Sequence, residues 1–175
     1  MKKLDILENQ VNKVYLSLGS NLGNKRKNLE IAKVLLMKLG IKIEKSSNFY
    51  QSKSWPNNKF PDYLNIILLI KTKLNLTELF VKIKSIEKIL GRIKSIKNYP
   101  RTCDIDIIDF KGICANTIYN NQKIIVPHKN MHKRNFVLIP LYEINKSWIH
   151  PKIKKNIVNL ISSLSTKDLR SIKLS

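Results

Sequence analysis

The chain has 175 residues, 43% of them hydrophobic, which is enough to build one globular domain around a core of ordinary size. Its formal net charge of +21 would attract a polyanion, but only five of the 33 basic residues are arginine and the lysines are spread along the whole sequence. We interpret the charge as a compositional bias and expect no nucleic-acid partner. Apolar runs of bilayer-spanning length are absent, and the two cysteines lack metal-site spacing. We therefore expect a cytoplasmic protein that does not bind membranes.

Hydrophobic spacing and turn residues predict the order strand, helix, strand, strand, helix, strand. The strands are expected over residues 14–18, 41–50, 62–71 and within 100–110, and the helices over residues 25–39 and 76–90. Asn24 is the expected N-cap of the first helix, and Asn75 with Glu78 forms the pattern of a capping box at the second. This order is that of the ferredoxin-like split βαβ fold, an α+β architecture in which helices pack on an antiparallel sheet.

Further elements follow the last strand. We expect a hairpin over residues 113–126, a helical region over residues 130–144 that is broken near Pro140, and an amphipathic helix around residues 156–164. The chain is then one domain with an N-terminal extension (1–12), a core (13–150) and a C-terminal helical addition (151–175).

The stretch 100–110, PRTCDIDIIDF, carries the strongest chemical signal in the chain. Side chains two apart on a strand share a face, so Asp104 and Asp106 project together while Ile105 and Ile107 project to the other side. Two adjacent carboxylates repel each other unless a cation lies between them, and hard oxygen ligands suit Mg²⁺ or Mn²⁺. Asp109 has the opposite parity and is not an expected ligand on a regular strand. An edge strand with solvated aspartates is the alternative interpretation of the pair by itself.

Basic side chains lie on both sides of this stretch in the sequence. They are Arg92, Lys94, Lys97 and Arg101 before it, and Lys123, His128, Lys129 and Arg134 after it. Carboxylates that hold a metal, together with positive groups around them, suit a substrate whose phosphates both must neutralise. On the residues alone, the pattern favours Mg²⁺-dependent phosphate chemistry.

Four segments give a more specific indication: YLSLGSNLGNK, FPDYLN, GRIKSIKNYPRTCDIDII and VPHKNMHKRNFVLIPLYEI. In this order they span roughly residues 14–144, and they resemble the 6-hydroxymethyl-7,8-dihydropterin pyrophosphokinase family. The resemblance implies an enzyme of tetrahydrofolate biosynthesis that transfers pyrophosphate from ATP to 6-hydroxymethyl-7,8-dihydropterin and releases AMP. It also implies two Mg²⁺ ions, no covalent intermediate and these two small molecules as partners. We expect a monomer.

The resemblance also implies roles for individual residues. Asp104 and Asp106 would hold the metal ions, and together with Arg92 and Arg101 they form the expected catalytic group. The residues expected at ATP are Lys84, Glu87, Arg92, Lys94, Arg101, Ile107, Lys123, His128 and Arg134. The residues expected at the pterin are Ser52, Lys53, Ser54, Trp55, Tyr63, Asn65, Asp104 and Phe136. Among these, Tyr63 and Phe136 would stack on the ring and Asn65 would hydrogen-bond its edge.

Two other functions share parts of the pattern. An RNA-binding module can have the same topology and a basic charge, but it needs stacking aromatics on the central strands, where this chain carries Asp104 and Asp106. A degenerate homologue that only binds its ligands is the second alternative, and the intact catalytic positions argue against it. The chain departs from the family pattern at four lysines, Lys53, Lys84, Lys94 and Lys129.

Overall fold

The computed structural model describes residues 11–54, 59–92 and 99–175. Its strands are β1 (Asn12–Ser20), β2 (Lys42–Ser46), β3 (Tyr50–Ser52), β4 (Tyr63–Thr72), β5 (Asp104–Phe110), β6 (Ala115–Tyr119), β7 (Gln122–Val126) and β8 (Lys173–Leu174). Its α-helices are α1 (Lys25–Lys38), α2 (Leu76–Ile89), α3 (Asn135–Ile144), α4 (Ile157–Ser162) and α5 (Thr166–Ser171). The predictions for Trp55, Lys94, Lys97 and residues 1–10 lie outside the described residues.

The main sheet has β1 at its centre. It pairs antiparallel with β4 on one side and with β5 on the other. Both β2 and β3 pair with the far edge of β4, and β8 adds to β3. Counting β2 and β3 as one interrupted strand gives the split βαβ order, with α1 and α2 as the crossover helices. The predicted ferredoxin-like α+β fold is therefore confirmed.

Helices cover both faces of this sheet, which explains why successive residues of β4 are apolar instead of alternating with polar ones. Ile66, Leu68 and Ile70 of β4 pack with residues of α1 and α2 in one core cluster. Ile67 and Leu69 point to the other face and pack with Val137, Leu138 and Leu141 of α3. The expected caps hold the two crossover helices in place. Asn24 accepts a hydrogen bond from Lys27 N, and Asn75 and Glu78 form a complete capping box.

The strand predicted over residues 41–50 is wrong in one respect, because it is two strands. Ser47 N donates to Ile67 O at 2.9 Å, and Ser47 Oγ accepts from Ile67 N at 3.0 Å. A side chain thus takes the place of a backbone carbonyl, and the regular ladder stops there. Asn48 N then donates to Glu143 of α3 at 3.0 Å, so the interruption also ties the sheet edge to α3.

The predicted break near Pro140 is also wrong. Pro140 lies inside α3, which continues to Ile144, and the helical region is divided at Arg134, between a 3₁₀ turn (Met131–Lys133) and α3. Pro140 lacks the N–H that would bond to Phe136 O, but its ring is buried, and this packing offsets the lost hydrogen bond.

The hairpin forms as β6 and β7, and the predicted C-terminal helix forms as α4 with Asn156 as its N-cap. Within the described ranges, no helix combines the length and the apolar character that a membrane crossing requires.

Candidate active site

The acidic pair lies on β5 beside the centre of the sheet. Asp104 is opposite Gly19 of β1 and Asp106 is opposite Ser17. On the other side of β1, Gly19 is opposite Asn65 of β4. Ile105 and Ile107 point into the core under α1 and α2. Asp104 and Asp106 therefore share the opposite face, as predicted, and Asn65 joins them there.

A bulge changes the parity of β5 after this pair. Ile107 is opposite Leu16 and Asp109 is opposite Tyr15, so Ile108 is an extra residue without a partner on β1. The bulge returns Asp109 to the face of the acidic pair, although its parity on a regular strand predicted the other face. Its oxygens are already occupied, because Oδ2 accepts from Trp148 Nε1 at 2.9 Å and Oδ1 accepts from Gly112 N at 2.8 Å. This agrees with leaving Asp109 out of the ligand set.

Positive side chains surround the acidic pair unequally. Arg92 Nη1 lies 2.6 Å from Asp104 Oδ1, and Arg101 Nη1 lies 3.0 Å from Asp104 Oδ2. Burial alone would raise the pKa of Asp104, but the two guanidinium groups outweigh it and hold this pKa below its ordinary value. The negative charge of Asp104 is therefore balanced by these two guanidinium groups.

Asp106 has weaker partners. Arg134 Nη1 lies 3.5 Å and His128 Nε2 lies 3.9 Å from its Oδ2. Burial, and then the charge of Asp104, raise the pKa of Asp106 to about 6. Burial and the charge of Arg134 lower the pKa of His128 to about 4, so this imidazole is neutral at pH 7 and offers Asp106 no charge. The charge of Asp106 is therefore compensated less closely than that of Asp104, and its oxygens are the ones that a cation would reach with less competition.

The donor chemistry of the pair fits a hard divalent ion. Two carboxylates present oxygen atoms only, and Mg²⁺ prefers oxygen ligands. Among the described residues no group of three His, Cys, Asp or Glu side chains converges on such a site. An ion held here would take its remaining ligands from water or from the phosphates of a substrate, which is how Mg²⁺ is commonly held at nucleotide sites.

The other residues predicted at ATP are placed differently. Glu87 is 1% exposed, and its carboxylate pairs with Lys84 at 2.8 Å, with Arg92, and with the backbone N–H of Ile105 at 2.9 Å. In this structure Glu87 orients Arg92, and its contact with the nucleotide stays a prediction. Ile107 is buried in the main core, and Lys123 is an exposed residue of β7.

Several residues predicted at the pterin converge beside Gly19. A Cβ atom on Gly19 would lie 3.2 Å from Asn65 Oδ1 and 3.4 Å from Tyr63 Cδ1, so the absence of a side chain lets Asn65 approach β1 closely, with Tyr63 beside it. Asn65 Nδ2 donates to Ser52 Oγ at 3.0 Å and to Tyr50 O at 3.2 Å. Asn65 is therefore held in a fixed orientation on the acidic side of the sheet.

Phe136 lies in the first turn of α3, and the guanidinium of Arg134 is 5.5 Å from the centre of its ring. The helix packs over the same face of the sheet, in contact with β3 and β4. Lys53 lies at the end of β3 and pairs with Asp62 at 3.1 Å. Phe136 thus flanks the face that carries Asn65.

Sequence reasoning missed Asn21, which is 2% exposed. Its Nδ2 donates to Ser54 Oγ and to Pro61 O, both at 3.2 Å, and its Oδ1 accepts from Arg101 N at 2.8 Å. The only sequence feature that marked Asn21 was its position in the turn between Gly19 and Gly23. Its three partners are far away in sequence, so local patterns could not reveal the contacts.

Fold and site together define a ferredoxin-like α+β protein with a carboxylate pair and arginines on one face of the sheet. Comparison with known families identifies it further. A sequence model of the family described as 7,8-dihydro-6-hydroxymethylpterin-pyrophosphokinase (HPPK) matches residues 15–146. The chain belongs to this family, and the resemblance seen in its motifs is confirmed.

Individual relatives agree with this assignment. The chain is 38% identical over 142 residues to the 2-amino-4-hydroxy-6-hydroxymethyldihydropteridine pyrophosphokinase of Aquifex aeolicus, covering 81% of this chain and 86% of that protein. It is 34% identical over 159 residues to the folic acid synthesis protein fol1 of Pneumocystis carinii, covering 91% of this chain but only 21% of that protein. The chain thus spans most of the first relative and about a fifth of the second.

Solved structures support the fold. The HPPK-DHPS of Plasmodium falciparum, crystallised with STZ-DHP, matches with a TM-score of 0.71 and 18% identity, over 90% of this chain and 42% of that one. A crystal structure of HPPK-DHPS in complex with substrates matches with a TM-score of 0.66 and 14% identity, over 87% of this chain and 43% of that one.

Proposed function

We propose that the chain transfers pyrophosphate from ATP to 6-hydroxymethyl-7,8-dihydropterin, yielding AMP and the pterin diphosphate in folate synthesis. Family membership and the names of its full-length relatives support this activity. The observation that carries the proposal is the placement of Asp104 and Asp106 on the same sheet face as Asn65, with Arg92 and Arg101 beside Asp104. The groups on β5 that are proposed to bind phosphate and the residues on β4 that are proposed to bind the pterin ring thus lie on either side of β1.

Asp104 and Asp106 are the residues that would hold Mg²⁺, and we propose two ions. Bound there, the metal supplies positive charge that screens the phosphates and aligns them for in-line transfer. The donor set supports this, since two oxygen-donor side chains leave the other coordination positions to the nucleotide.

Arg92 and Arg101 have a related role in the proposal. Both guanidinium groups lie within 3.0 Å of Asp104, so a triphosphate held at that carboxylate lies within their reach. Glu87 fixes Arg92 from the buried side. Planar guanidinium groups bind phosphate oxygens in a bidentate manner, and such contacts strengthen as charge develops during transfer. His128 and Arg134, beside Asp106, are proposed to contact the nucleotide from the other side.

The pterin is proposed to lie between Tyr63 and Phe136, with Asn65 at its edge. Aromatic rings offer π faces to a flat heterocycle, and an amide both donates and accepts hydrogen bonds. Ser52, Lys53 and Ser54 lie at the adjoining end of β3. The hydroxymethyl oxygen itself is the attacking group, so no protein nucleophile is required. The buried Cys103 does not fit that role, since burial raises the pKa of its thiol.

The test is to incubate the purified chain with ATP, Mg²⁺ and the hydroxymethyl-dihydropterin and to identify the nucleotide released. AMP that appears only with pterin present supports the proposal. Release of ADP, or no change in the nucleotide while the protein is folded, would overturn it. Glu30→Gln, which removes a surface carboxylate paired with Lys33, is a control variant that should keep full activity.

We also propose a monomeric enzyme that acts in the cytoplasm, which mass measurement in solution and cell fractionation can check.

A further inference from the structure

Residues 165–175, called here the C-terminal strap, contact both elements that flank the proposed pterin site. The strap consists of α5 and β8. Its helix contacts the start of α3, where Phe136 lies, and its strand pairs with β3, which orients Asn65.

The first contact runs through Asn135, which is 8% exposed. Its Nδ2 donates to Asp168 O at 2.5 Å and to Ser171 Oγ at 2.9 Å, both in α5. Its Oδ1 accepts from Phe136 N at 2.7 Å. The residue before α3, Arg134, makes no capping hydrogen bond with its side chain. Asn135 therefore satisfies a backbone donor in the first turn of α3 and at the same time anchors that turn to the strap.

The second contact is the β8 ladder. Leu174 lies opposite Tyr50, Lys173 lies opposite Gln51, and Ser175 N donates to Phe49 O at 2.9 Å. β3 has only three residues, and without β8 it would be an outer strand with one unpaired edge. Two groups of β3 position the Asn65 amide, namely Tyr50 O and Ser52 Oγ. Support from β8 thus reaches Asn65 through one intermediate strand.

We infer that the C-terminal strap is a positioning element for pterin binding, with Asn135 as its principal link. This inference rests on the proposed function. The strap fixes Phe136 on one side of the site and the Asn65 amide on the other, so that the stacking ring and the hydrogen-bonding edge keep a constant separation. The nucleotide groups around Asp104 are fixed by Arg92, Arg101 and Glu87 instead, and of the proposed nucleotide contacts only Arg134 is next to Asn135 in the chain.

Two variants test the link. Asn135→Leu keeps the side-chain size but removes both donors to α5 and the acceptor for Phe136 N. Ser171→Ala removes one acceptor of Asn135 and is the milder change. Its matched control is Ser162→Ala, because Ser171 Oγ donates to Asp168 O at 2.8 Å within α5 and Ser162 Oγ likewise donates to Val158 O at 3.0 Å within α4.

Steady-state kinetics give the first measurement. We expect Asn135→Leu to raise the KM for pterin about tenfold, which corresponds to the loss of well-placed hydrogen bonds, while the KM for ATP changes by less than about twofold. Ser171→Ala should show a smaller effect in the same direction, and Ser162→Ala none. Equal changes in both KM values, or no change in either variant, would overturn the inference.

Hydrogen exchange gives a second measurement that does not need activity. In Asn135→Leu, the amide of Phe136 and the amides of residues 49–52 should exchange faster than in the wild type, whereas those of α2 should not change. Unchanged protection at both places would overturn the inference even in a fully active enzyme. If the wild type released no AMP, the proposed function would fail, while the exchange data would still decide whether the strap holds these two segments.

Discussion

The side chain of Asn21 joins Arg101 to Ser54. Its amide oxygen accepts a hydrogen bond from Arg101 N at 2.8 Å, and its amide nitrogen donates to Ser54 Oγ at 3.2 Å. One buried amide thus connects the stretch before β5, which supplies a proposed phosphate contact, with the proposed pterin loop. The two proposed substrate sites therefore share a support in the turn after β1.

Removing this support should affect both substrates. We expect Asn21→Ala to raise the KM for pterin and the KM for ATP, each about tenfold, since each lost buried hydrogen bond costs about 1–3 kcal/mol. Ser54→Ala removes only the connection to the pterin loop, so it should raise the KM for pterin alone. Steady-state kinetics with each substrate varied in turn provide the measurement. A rise of the ATP KM in Ser54→Ala would contradict this division.

Asp106→Asn should separate activity from stability. The amide has nearly the same shape but is a poor ligand for Mg²⁺, so we expect turnover to fall by about 100-fold or more. It also removes a negative charge that lies next to Asp104, and like charges at such a site oppose folding. The melting temperature should therefore stay the same or rise. A loss of both activity and melting temperature would mean that Asp106 is structural.

Gly19→Ala should damage the proposed pterin site with little effect on the sheet. The new Cβ would meet Asn65 Oδ1 at 3.2 Å, so this side chain must move by a few tenths of an ångström, and it would come into van der Waals contact with Tyr63 Cδ1 at 3.4 Å. We expect a rise of about tenfold in the KM for pterin, because misplaced contacts bind weakly. Calorimetry with pterin, and with ATP as the comparison ligand, measures this effect. Equal weakening of both ligands would contradict the local explanation.

Asp109→Asn should lower stability and leave turnover unchanged. The carboxylate accepts from Trp148 Nε1 and from Gly112 N, and an asparagine has one oxygen for these two donors. One buried N–H loses its partner, which costs about 1–3 kcal/mol of the free energy of unfolding. Urea unfolding followed by far-ultraviolet circular dichroism, which does not depend on Trp148, measures the loss. Trp148→Phe combined with Asp109→Asn should be less destabilising than the sum of the two single changes, since they remove one interaction.

Much of the architecture follows from local sequence patterns. The order of strands and helices, the caps Asn24 and Asn75, and the shared face of Asp104 and Asp106 all depend on spacing within a few residues, and the structure confirms them. The interruption at Ser47 did not follow, because it depends on a side chain that bonds to Ile67, twenty residues away. The predicted helix break near Pro140 was wrong for a similar reason, because the burial of Pro140 by tertiary packing outweighs its tendency to break a helix.

Strand parity and the resemblance to the family predicted part of the site. Parity placed Asp104 and Asp106, and the family pattern named Arg92, Arg101 and Asn65. Neither source could place Asn21 or Asn135, because their roles arise from contacts 33 to 80 residues apart in the chain. The burial of Glu87 was equally hidden, as its neighbours on α2 leave its orientation open.

The bulge at Ile108 keeps Asp109 on the face of the acidic pair but places it one residue further along the strand. Without this residue, strict alternation would place Asp109 two positions after Asp106, and three carboxylates would form one row on the same face. Ile108 packs in the core cluster that contains Val137, Leu138 and Leu141 of α3. Asp109, the third carboxylate, follows it and accepts a hydrogen bond from Trp148 Nε1. Two carboxylates, one already neutralised by arginines, attract a free divalent ion weakly. In the proposed reaction the triphosphate would therefore bring most of the ligands of an ion held here, and we expect ion and nucleotide to bind together.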